Sequence, residues 1–436
     1  MSTNVMTSQP PSQSTHDVLI LGAGVIGLSC ALQLLKAGRQ VTLIDRGATA
    51  GATSQGNCGT ITPSHSPPLT MPGMVAKALR WTLRGDAPLW VKPTLNPQRL
   101  NWFWRFARQC RSEQWQPVAQ ARAQLLKTSR SLLEQLVAEE QLQCDFSTSG
   151  TLYVWRDEAH FEQAAWMPAI LEQLGLNMQR LDGAQARAME PTLNDSIIGA
   201  FHNPGDARLR PERYSAELAR RVTELGGTII EHCAVTGLES NGDALIAART
   251  ADGRLQAREF VLALGAWSPE LGRQLQLTIP IQPGKGYSIT YPRPQHCPSI
   301  PLVLEERSVC VTAWEDGFRL GSTMEFSGYD SHLNRKRLAA LEHAANEYLQ
   351  GVDHTTRLKE WYGWRPMTWD ELPLIGRSPV HHNLTLATGH GMLGVSMSAV
   401  TGLLVRELIC EQPPSLDLRP YDPARFRHGN GLRRSA

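Results

Sequence analysis

Several features that would indicate other classes of protein are missing from this sequence of 436 residues. Its two closest cysteines are Cys297 and Cys310, so it has no Cys-x-x-Cys pair for zinc, an iron–sulfur cluster or a thioredoxin-like redox couple. It also lacks a run of about 18 apolar residues, which a transmembrane helix would need. Scattered cysteines without a pattern are typical of a reducing compartment, so we expect a cytoplasmic protein without a metal site.

The sequence also has no large excess of positive or negative residues. The chain has 43 basic and 41 acidic residues, for a formal net charge of +2. A dedicated nucleic-acid-binding protein would carry a clustered basic excess, so we expect no nucleic-acid partner. Residues 1–15 are rich in Ser, Thr, Gln and Pro and lack the apolar segment of a secretory signal, which predicts a disordered tail.

A complete βαβ dinucleotide-binding pattern follows this tail. Its parts are an apolar strand over 17–21, the turn Gly22-Ala23-Gly24-Val25-Ile26-Gly27, a helix over 28–38 and a strand over 40–45. In such a pattern Gly22 permits the tight turn, Gly24 lets a pyrophosphate approach the backbone, and Gly27 allows close packing of helix on strand. The helix N-terminus attracts the phosphates, and Asp45 is placed to accept the ribose hydroxyls.

The pattern alone does not distinguish NAD from FAD, and three further features favour FAD. It lies close to the N-terminus, and the polar, glycine-containing loop over 53–60 follows the acidic residue closely. A second turn of small residues, over 262–267, follows an apolar strand. Such loops suit the phosphates and the edges of a flavin.

More segments with a distinctive composition follow in order. They are Pro72-Gly73, Gly150-Thr151-Leu152-Tyr153, Gly205-Asp206-Ala207-Arg208, Gly284-Lys285-Gly286-Tyr287-Ser288, Gly363-Trp364-Arg365-Pro366-Met367-Thr368 and Thr388-Gly389-His390-Gly391-Met392-Leu393-Gly394. With these segments the chain resembles the FAD-dependent D-amino acid oxidase and dehydrogenase superfamily, and most closely its bacterial D-amino acid dehydrogenase branch. The resemblance extends from about His16 to about Phe426.

The resemblance implies an α/β fold with two interleaved domains. A Rossmann-type FAD-binding domain, built on a parallel sheet with helices, would comprise residues 16–95, 196–280 and 361–430. An α+β substrate-binding domain, built on a mainly antiparallel sheet, would comprise residues 96–195 and 281–360. Local patterns predict helices over 211–225 and 394–408 and strands over 228–230, 302–304, 309–313 and 384–387.

The same resemblance implies a non-covalent FAD. The residues that would hold it are Gly22, Gly24, Val25, Ile26, Gly27, Asp45, Arg46, Thr53, Ser54, Asn57, Cys58, Gly59, Val235, Ala263, Gly265, Gly389, Gly391, Met392, Leu393 and Gly394. Val235 would lie near the adenine. The helix that starts at Gly394 would direct free N–H groups at the pyrimidine end of the flavin, where negative charge builds up during reduction.

Two residues are expected to bind the substrate. In the family the arginine of the Gly-x-Arg-Pro segment, here Arg365, grips the substrate carboxylate, a task that suits a planar guanidinium. Tyr287 could share the carboxylate. The alternatives are an arginine paired with a nearby acid, Asp370 or Glu371, and a tyrosine of the hydrophobic core.

The function implied is oxidation of D-amino acids to imino acids by hydride transfer from Cα to flavin N5. Water then gives 2-oxo acids and ammonia, and the electrons pass to a quinone-type acceptor. An alternative in the same fold is oxidation of a secondary or cyclic amino acid, such as D-proline, hydroxyproline or an N-methyl amino acid. Two further alternatives are a flavoprotein subunit without activity, which Arg365 and Tyr287 disfavour, and an NAD-dependent dehydrogenase, which the loop over 388–394 disfavours.

Tryptophans and basic residues alternate between Lys77 and Trp115. Amphipathic helices of this composition can lie on a membrane surface, with aromatic rings at the interface and cations on anionic head groups. This segment therefore raises the hypothesis of a peripheral contact with the cytoplasmic face of the inner membrane. The other interpretation is a set of ordinary core aromatics.

Overall fold

The computed structural model describes residues 15–82, 88–111, 114–353 and 355–426. Nearly all of the tail predicted over 1–15 lies outside the described residues. The strands are β1 His16–Leu21, β2 Val41–Ile44, β3 Thr60–Ile61, β4 Leu89–Val91, β5 Thr151–Trp155, β6 Gln179–Asp182, β7 Gly199–Asn203, β8 Ala207–Arg208, β9 Thr228–Ile230, β10 Gly237–Asn241, β11 Ala244–Thr250, β12 Gly253–Leu262, β13 Ile281–Pro292, β14 Leu302–Leu304, β15 Val309–Ala313, β16 Gly317–Phe326, β17 Lys359–Thr368, β18 Leu374–Arg377 and β19 Leu384–Thr388. The helices are α1 Val25–Lys36, α2 Met74–Thr82, α3 Pro97–Gln109, α4 Trp115–Glu139, α5 Glu158–Gln163, α6 Met167–Gln173, α7 Gly183–Met189, α8 Pro211–Glu224, α9 Ser268–Gly272, α10 Arg335–Tyr348 and α11 Gly394–Ile409.

The first sheet has a parallel centre around β1. This strand pairs in parallel with β2 and with β12, and β12 pairs in parallel with β19. Val18 and Ile20 belong to one core together with α1, whereas Leu19 and Leu21 belong to a separate core. Because alternate side chains point to opposite faces, β1 is covered on both sides, which explains its continuous apolar run.

The second sheet is mainly antiparallel. It places β13 between β17 and β16, and β15, β14, β5, β7 and β6 extend it in that order. One face packs on α10, in a core that includes Tyr287 and Ile289. The other face contacts the loop over 53–60, since Arg319 donates to the carbonyl oxygen of Asn57 at 2.7 Å. Together the two sheets confirm the predicted fold class.

The elements predicted from local patterns closely match the structure, with one shift. The first helix begins at Val25 rather than at 28, because Gly24 is its N-cap. It ends at Lys36, and Gly38 has a φ of 80°, as expected for the predicted glycine cap. The predicted α8, β9, β14, β15, β19 and α11 are confirmed.

Several elements near the predicted domain boundaries pack in a different sheet or core from the one predicted for their segment. Strands β4, β7 and most of β17 lie in the segments 16–95, 196–280 and 361–430, which are predicted to form the FAD-binding domain, but all three strands belong to the second sheet. Helix α4, from the predicted substrate segment 96–195, packs through Leu125 and Leu126 on α11. A division by packing would move these elements to the other domain, and the boundaries stay a prediction.

Candidate active site

The turn between β1 and α1 has the backbone geometry that its glycines predict. Gly22 has a φ of 110°, and a Cβ there would lie 2.5 Å from the carbonyl oxygen of Ala263. A Cβ on Gly27 would lie 1.9 Å from the carbonyl oxygen of Gly22, which confirms its packing role. Beside Gly24 the space is open, with Ser54 Oγ at 3.6 Å from a Cβ position. This cradle leaves room for a phosphate next to the backbone at Gly24.

Asp45 and Arg46 follow β2 at the same edge of the sheet. The Asp45 carboxylate accepts from the backbone N–H of Ala23 at 2.8 Å and of Gly47 at 2.9 Å, which fixes it beside the turn. The Arg46 guanidinium stacks on the Trp267 ring, 3.9 Å from its centroid. Both side chains therefore border the space into which a nucleotide would extend from the turn.

One cavity of about 1370 Å³ connects this cradle with the second sheet. It is lined by the predicted residues Gly22, Gly24, Val25, Ile26, Asp45, Arg46, Thr53, Ser54, Asn57, Cys58, Val235, Ala263, Gly265, Gly391, Met392, Leu393, Gly394, Tyr287 and Arg365. Gly27, Gly59 and Gly389 lie behind the wall. Gly59 has a φ of 75°, and a Cβ there would lie 2.0 Å from the carbonyl oxygen of Leu209. These three glycines shape the backbone rather than the cavity surface.

The loop over 53–60 joins the two sheets. Thr53 Oγ1 donates to the carbonyl oxygen of Trp364 at 2.9 Å, and a Cβ on Gly56 would lie 1.9 Å from the Trp361 ring. At the other end, Ser54 Oγ accepts from the backbone N–H of Val25 at 3.1 Å, the first N–H of α1. The loop is therefore held against both the nucleotide cradle and β17.

The C-terminal glycine turn closes the cavity from another side. Gly389 and Gly391 have φ values of 80° and 56°, and the Gly391 N–H donates to the carbonyl oxygen of Pro366. His390 is buried with its Nε2 3.0 Å from Thr401 Oγ1, and burial lowers the pKa of His390 to about 3. Leu393 provides no side-chain cap for α11. The first residues of this helix, Gly394 and Val395, line the cavity.

Arg365 lines the same cavity from β17. Its Nη1 donates to the carbonyl oxygen of Thr323 at 2.6 Å. Burial lowers the pKa of Arg365, but a guanidinium remains charged in a protein. Among the described residues no carboxylate lies within 4.0 Å of it. It is a partly buried cation without a carboxylate partner in the described part of the chain.

The two acids that could have neutralised Arg365 are paired elsewhere. Asp370 accepts from Arg425 Nε at 2.9 Å, and Glu371 accepts from Arg122 Nη1 at 3.1 Å. The interpretation of Arg365 as a structural arginine paired with Asp370 or Glu371 is therefore wrong for this conformation.

The structure does not bring the hydroxyl of Tyr287 to Arg365. In the register of β13 and β17, Arg365 pairs with Gly284 and Tyr287 pairs with Tyr362. Since side chains alternate along a strand, Tyr287 projects from the face opposite to Arg365. Its hydroxyl donates to Glu325 Oε2 at 2.9 Å in a buried site. This arrangement does not support the expectation that Arg365 and Tyr287 bind the same substrate carboxylate.

A polar cluster that had no predicted role occupies another part of the wall. The Tyr153 hydroxyl lies 2.8 Å from Ser64 Oγ, 3.3 Å from His65 Nδ1 and 3.4 Å from His65 Nε2. Ser64 Oγ donates to Asp206 Oδ2 at 2.5 Å, and its backbone N–H donates to Oδ1 at 3.1 Å. His65 lines the cavity, whereas Asp206 is buried behind it. The sequence signals for this cluster are the segments Gly150-Thr151-Leu152-Tyr153 and Gly205-Asp206-Ala207-Arg208.

A buried ion pair fixes the turn that carries His65. Arg122 Nη2 donates to the carbonyl oxygen of His65 at 2.8 Å, while its Nη1 pairs with Glu371. Glu371 also accepts from the backbone N–H of Leu69 at 2.5 Å. Helix α4, which carries Arg122, thus links the cavity wall to the segment after β17.

Helices α2 and α3 carry Val75, Leu79 and Trp104, which line the cavity and are also exposed to solvent, and we call this apolar rim the mouth of the cavity. Val75, Leu79, Leu100 and Trp104 are exposed large hydrophobic residues of these helices. Lys77, which also lines the cavity, lies 4.9 Å from the Trp81 ring centroid. Trp102, in contrast, is buried and donates to the carbonyl oxygen of Pro280. Within the described part of the chain, no helix is both long and apolar enough to cross a membrane.

Comparison with known proteins adds to this geometry. The model of the FAD dependent oxidoreductase family matches residues 17–408. The D-amino acid dehydrogenases of Agrobacterium fabrum and Vibrio vulnificus are 34% and 33% identical, over 94% and 92% of this chain and 99% of each relative. Glycine oxidase from Geobacillus kaustophilus has a similar fold, with a TM-score of 0.77 and 22% identity over 95% of this chain and 100% of that one.

Proposed function

The chain belongs to the FAD dependent oxidoreductase family, and we propose that it oxidises D-amino acids to imino acids, which water converts to 2-oxo acids and ammonia. Bound FAD would supply the acceptor for the hydride that leaves the α-carbon. The observation that carries the proposal is Arg365, a cavity-lining cation without a carboxylate partner among the described residues. The names of the curated relatives support the same substrate class.

The cradle fits a non-covalent FAD. The turn at Gly24 and the start of α1 would hold the pyrophosphate, and Asp45 would accept the ribose hydroxyls. The turn over 388–394 and the start of α11 would provide N–H donors to the flavin ring. Together these groups would hold the cofactor in the cavity without a covalent bond.

Arg365 would orient the substrate. Two parallel hydrogen bonds from a guanidinium to the α-carboxylate fix both the position and the plane of that group. The carbonyl oxygen of Thr323 holds Nη1 in place, and the absence of a side chain at Gly286 makes room for the guanidinium. With the carboxylate held, the α-carbon has few orientations left, so removal of its hydride becomes a positioned step that favours one enantiomer.

We further propose that a quinone accepts the electrons at the cytoplasmic face of the inner membrane. The support is the apolar mouth of the cavity, where Leu79 and Trp104 are 63% and 55% exposed. An apolar ring could enter there, and Lys77 and Arg80 on α2 could approach anionic head groups.

Anaerobic titration of the purified yellow protein tests the proposal. We expect D-amino acids to bleach the flavin absorbance faster than their L-enantiomers. Faster reduction by an L-amino acid would contradict the stereochemical assignment. Reduction by D-proline, hydroxyproline or an N-methyl amino acid, but not by primary amines, would replace the substrate class by secondary amines.

A further inference from the structure

The proposed oxidation needs an acceptor for a proton as well as for a hydride. An α-amino acid carries an ammonium group at neutral pH, and its nitrogen must gain a free electron pair before the carbon–nitrogen double bond forms. Arg365 cannot take this proton, because a guanidinium has no acceptor atom. The cavity wall must therefore provide a base, if the substrate binds as the ammonium form.

We propose that a proton relay that runs from His65 to Asp206 accepts the ammonium proton of the bound substrate. The relay rests on the proposed function and deepens it. Tyr153 and Ser64 connect its two ends through the contacts of 3.3, 2.8 and 2.5 Å described above. His65 is the member that lines the cavity, so the other residues act through it.

Each member of the relay gains one proton and gives one away. The ammonium N–H bond breaks as one ring nitrogen of His65 gains the proton. The other nitrogen, Nδ1, which lies 2.8 Å from Thr62 Oγ1 and 3.3 Å from the Tyr153 hydroxyl, releases its proton to that hydroxyl. That hydroxyl protonates Ser64 Oγ, which in turn releases its proton to Asp206. No electrons are transferred, and the substrate is left as the neutral amine. After the product leaves, the proton returns to the cavity along the same groups.

The electrostatics of the two ends suit this direction. Burial, with a smaller effect of Arg122, lowers the pKa of His65 to about 4, so its ring is neutral at pH 7 and offers one nitrogen as an acceptor. Burial raises the pKa of Asp206 to about 7, so its carboxylate can both take and release a proton near neutrality. The charged groups that act electrostatically on the relay are Arg122 on His65, Arg130 on Asp206 and Glu305 on Tyr153.

The decisive measurement is the pH profile of kcat/KM, for an amine that bleaches the flavin, in the wild type and in Asp206→Asn and Tyr153→Phe. In the wild type kcat/KM should rise with pH through about 7, as Asp206 ionises. Both variants should lose this step and fall about a hundredfold at pH 7, the range typical of general base catalysis, with unchanged FAD content. The kcat/KM of the double variant should be no lower than that of the less active single variant, because each substitution breaks the same relay.

The pH dependence also separates the relay from a purely structural role. If the relay operates, the defect of both variants should shrink toward the wild-type rate above the pKa of the substrate's own amine, because solvent removes the proton there. A purely structural role would give a loss that does not change with pH. Tyr214→Phe is the matched control: it removes another fully buried hydroxyl, 3.1 Å from Ser398 Oγ, and should leave the profile unchanged.

Two outcomes would overturn the relay and can be told apart from failure of the proposed function. If amines bleach the flavin but Tyr153→Phe retains the wild-type pH profile, or shows a loss that is constant with pH, the relay is wrong and the function stands. If no amine bleaches the flavin of the yellow wild type, both are wrong. Should Asp206→Asn fail to fold, Tyr153→Phe alone decides the matter.

Discussion

Gly286 and Arg365 lie on the same face of the neighbouring strands β13 and β17, and the guanidinium occupies the space beside the α-carbon of Gly286. A Cβ built at position 286 would lie 2.4 Å from Cζ of Arg365. The glycine-rich segment before Tyr287 therefore leaves room for the cation that we assign to the substrate carboxylate.

The first prediction is that Gly286→Ala weakens substrate binding without loss of the fold. The methyl group meets the flexible end of Arg365, so the guanidinium can move aside at little cost in stability. We expect KM to rise roughly tenfold, which corresponds to about 1.4 kcal/mol, with normal FAD content. Gly205→Ala, whose added Cβ has nothing within 4 Å, is the control and should leave KM unchanged. An unchanged KM in Gly286→Ala would place the carboxylate elsewhere.

Arg365→Met should lower kcat/KM by roughly a hundredfold or more. Hydrogen bonds to charged groups contribute about 1.5–3 kcal/mol each, and two act together. Arg365→Lys should recover only part of the loss, because an ammonium cannot make the planar two-point contact. Steady-state kinetics with an amino acid and with its amide provide the test, since the amide should lose little further activity in the variant. Near-normal kinetics in Arg365→Met would contradict the model of the site.

Two glycines of the first turn should separate cofactor binding from folding. Gly24→Val should give a folded but colourless protein, because the side chain would occupy the open space beside the cradle, where Ser54 Oγ lies 3.6 Å away. Gly27→Ala should lower the thermal stability even without FAD, because its Cβ would lie 1.9 Å from the carbonyl oxygen of Gly22. Circular dichroism melts and flavin absorbance measure the two effects. A yellow Gly24→Val protein would refute the position of the pyrophosphate.

The sequence predicts those parts of the site that are local in the chain. The strand, turn and helix around Gly22, Gly24 and Gly27 follow one another directly, so backbone conformation and apolar periodicity are sufficient. Arg365 was identified for a different reason, through the resemblance of its segment to a family. Only the structure shows that Arg365 is not paired with Asp370 or Glu371, because both acids are paired with arginines distant in sequence.

The positions of the residues that the sequence places wrongly or does not reveal are set by contacts between segments distant in the chain. Tyr287 has a suitable side chain, but the register of β13 against β17 turns it away from Arg365, and a shift by one residue would reverse this. Likewise Ser64, Tyr153 and Asp206 come together from three separated segments. No local pattern encodes such a cluster, and the same holds for the sheet membership of β4 and β7.

Asp206 should make the stability of the folded protein depend on pH. Burial raises its pKa from 3.8 to about 7, so the folded state binds more protons than the unfolded state between these values. The contribution of Asp206 to the free energy of unfolding therefore decreases as pH rises from about 4 to about 7 and is constant above that. The change is on the order of 4 kcal/mol, at 1.36 kcal/mol per pKa unit. Denaturant unfolding of wild type and Asp206→Asn at both ends of this range measures it, and an equal difference at both ends would contradict it.

The last prediction concerns the apolar mouth formed by α2 and α3. Leu79 is 63% exposed there, and Leu358 is 61% exposed on another part of the surface, so Leu79→Ser and Leu358→Ser form a matched pair. If a quinone enters through the mouth, Leu79→Ser should reduce turnover with an apolar quinone by roughly fivefold, since about 1 kcal/mol of apolar contact is lost. Turnover with a water-soluble dye should be unchanged, because the dye does not depend on an apolar contact. Leu358→Ser should affect neither acceptor. Equal quinone activity in both variants would exclude this route, and stoichiometric peroxide formation in air at the rate of dye turnover would identify an oxidase instead.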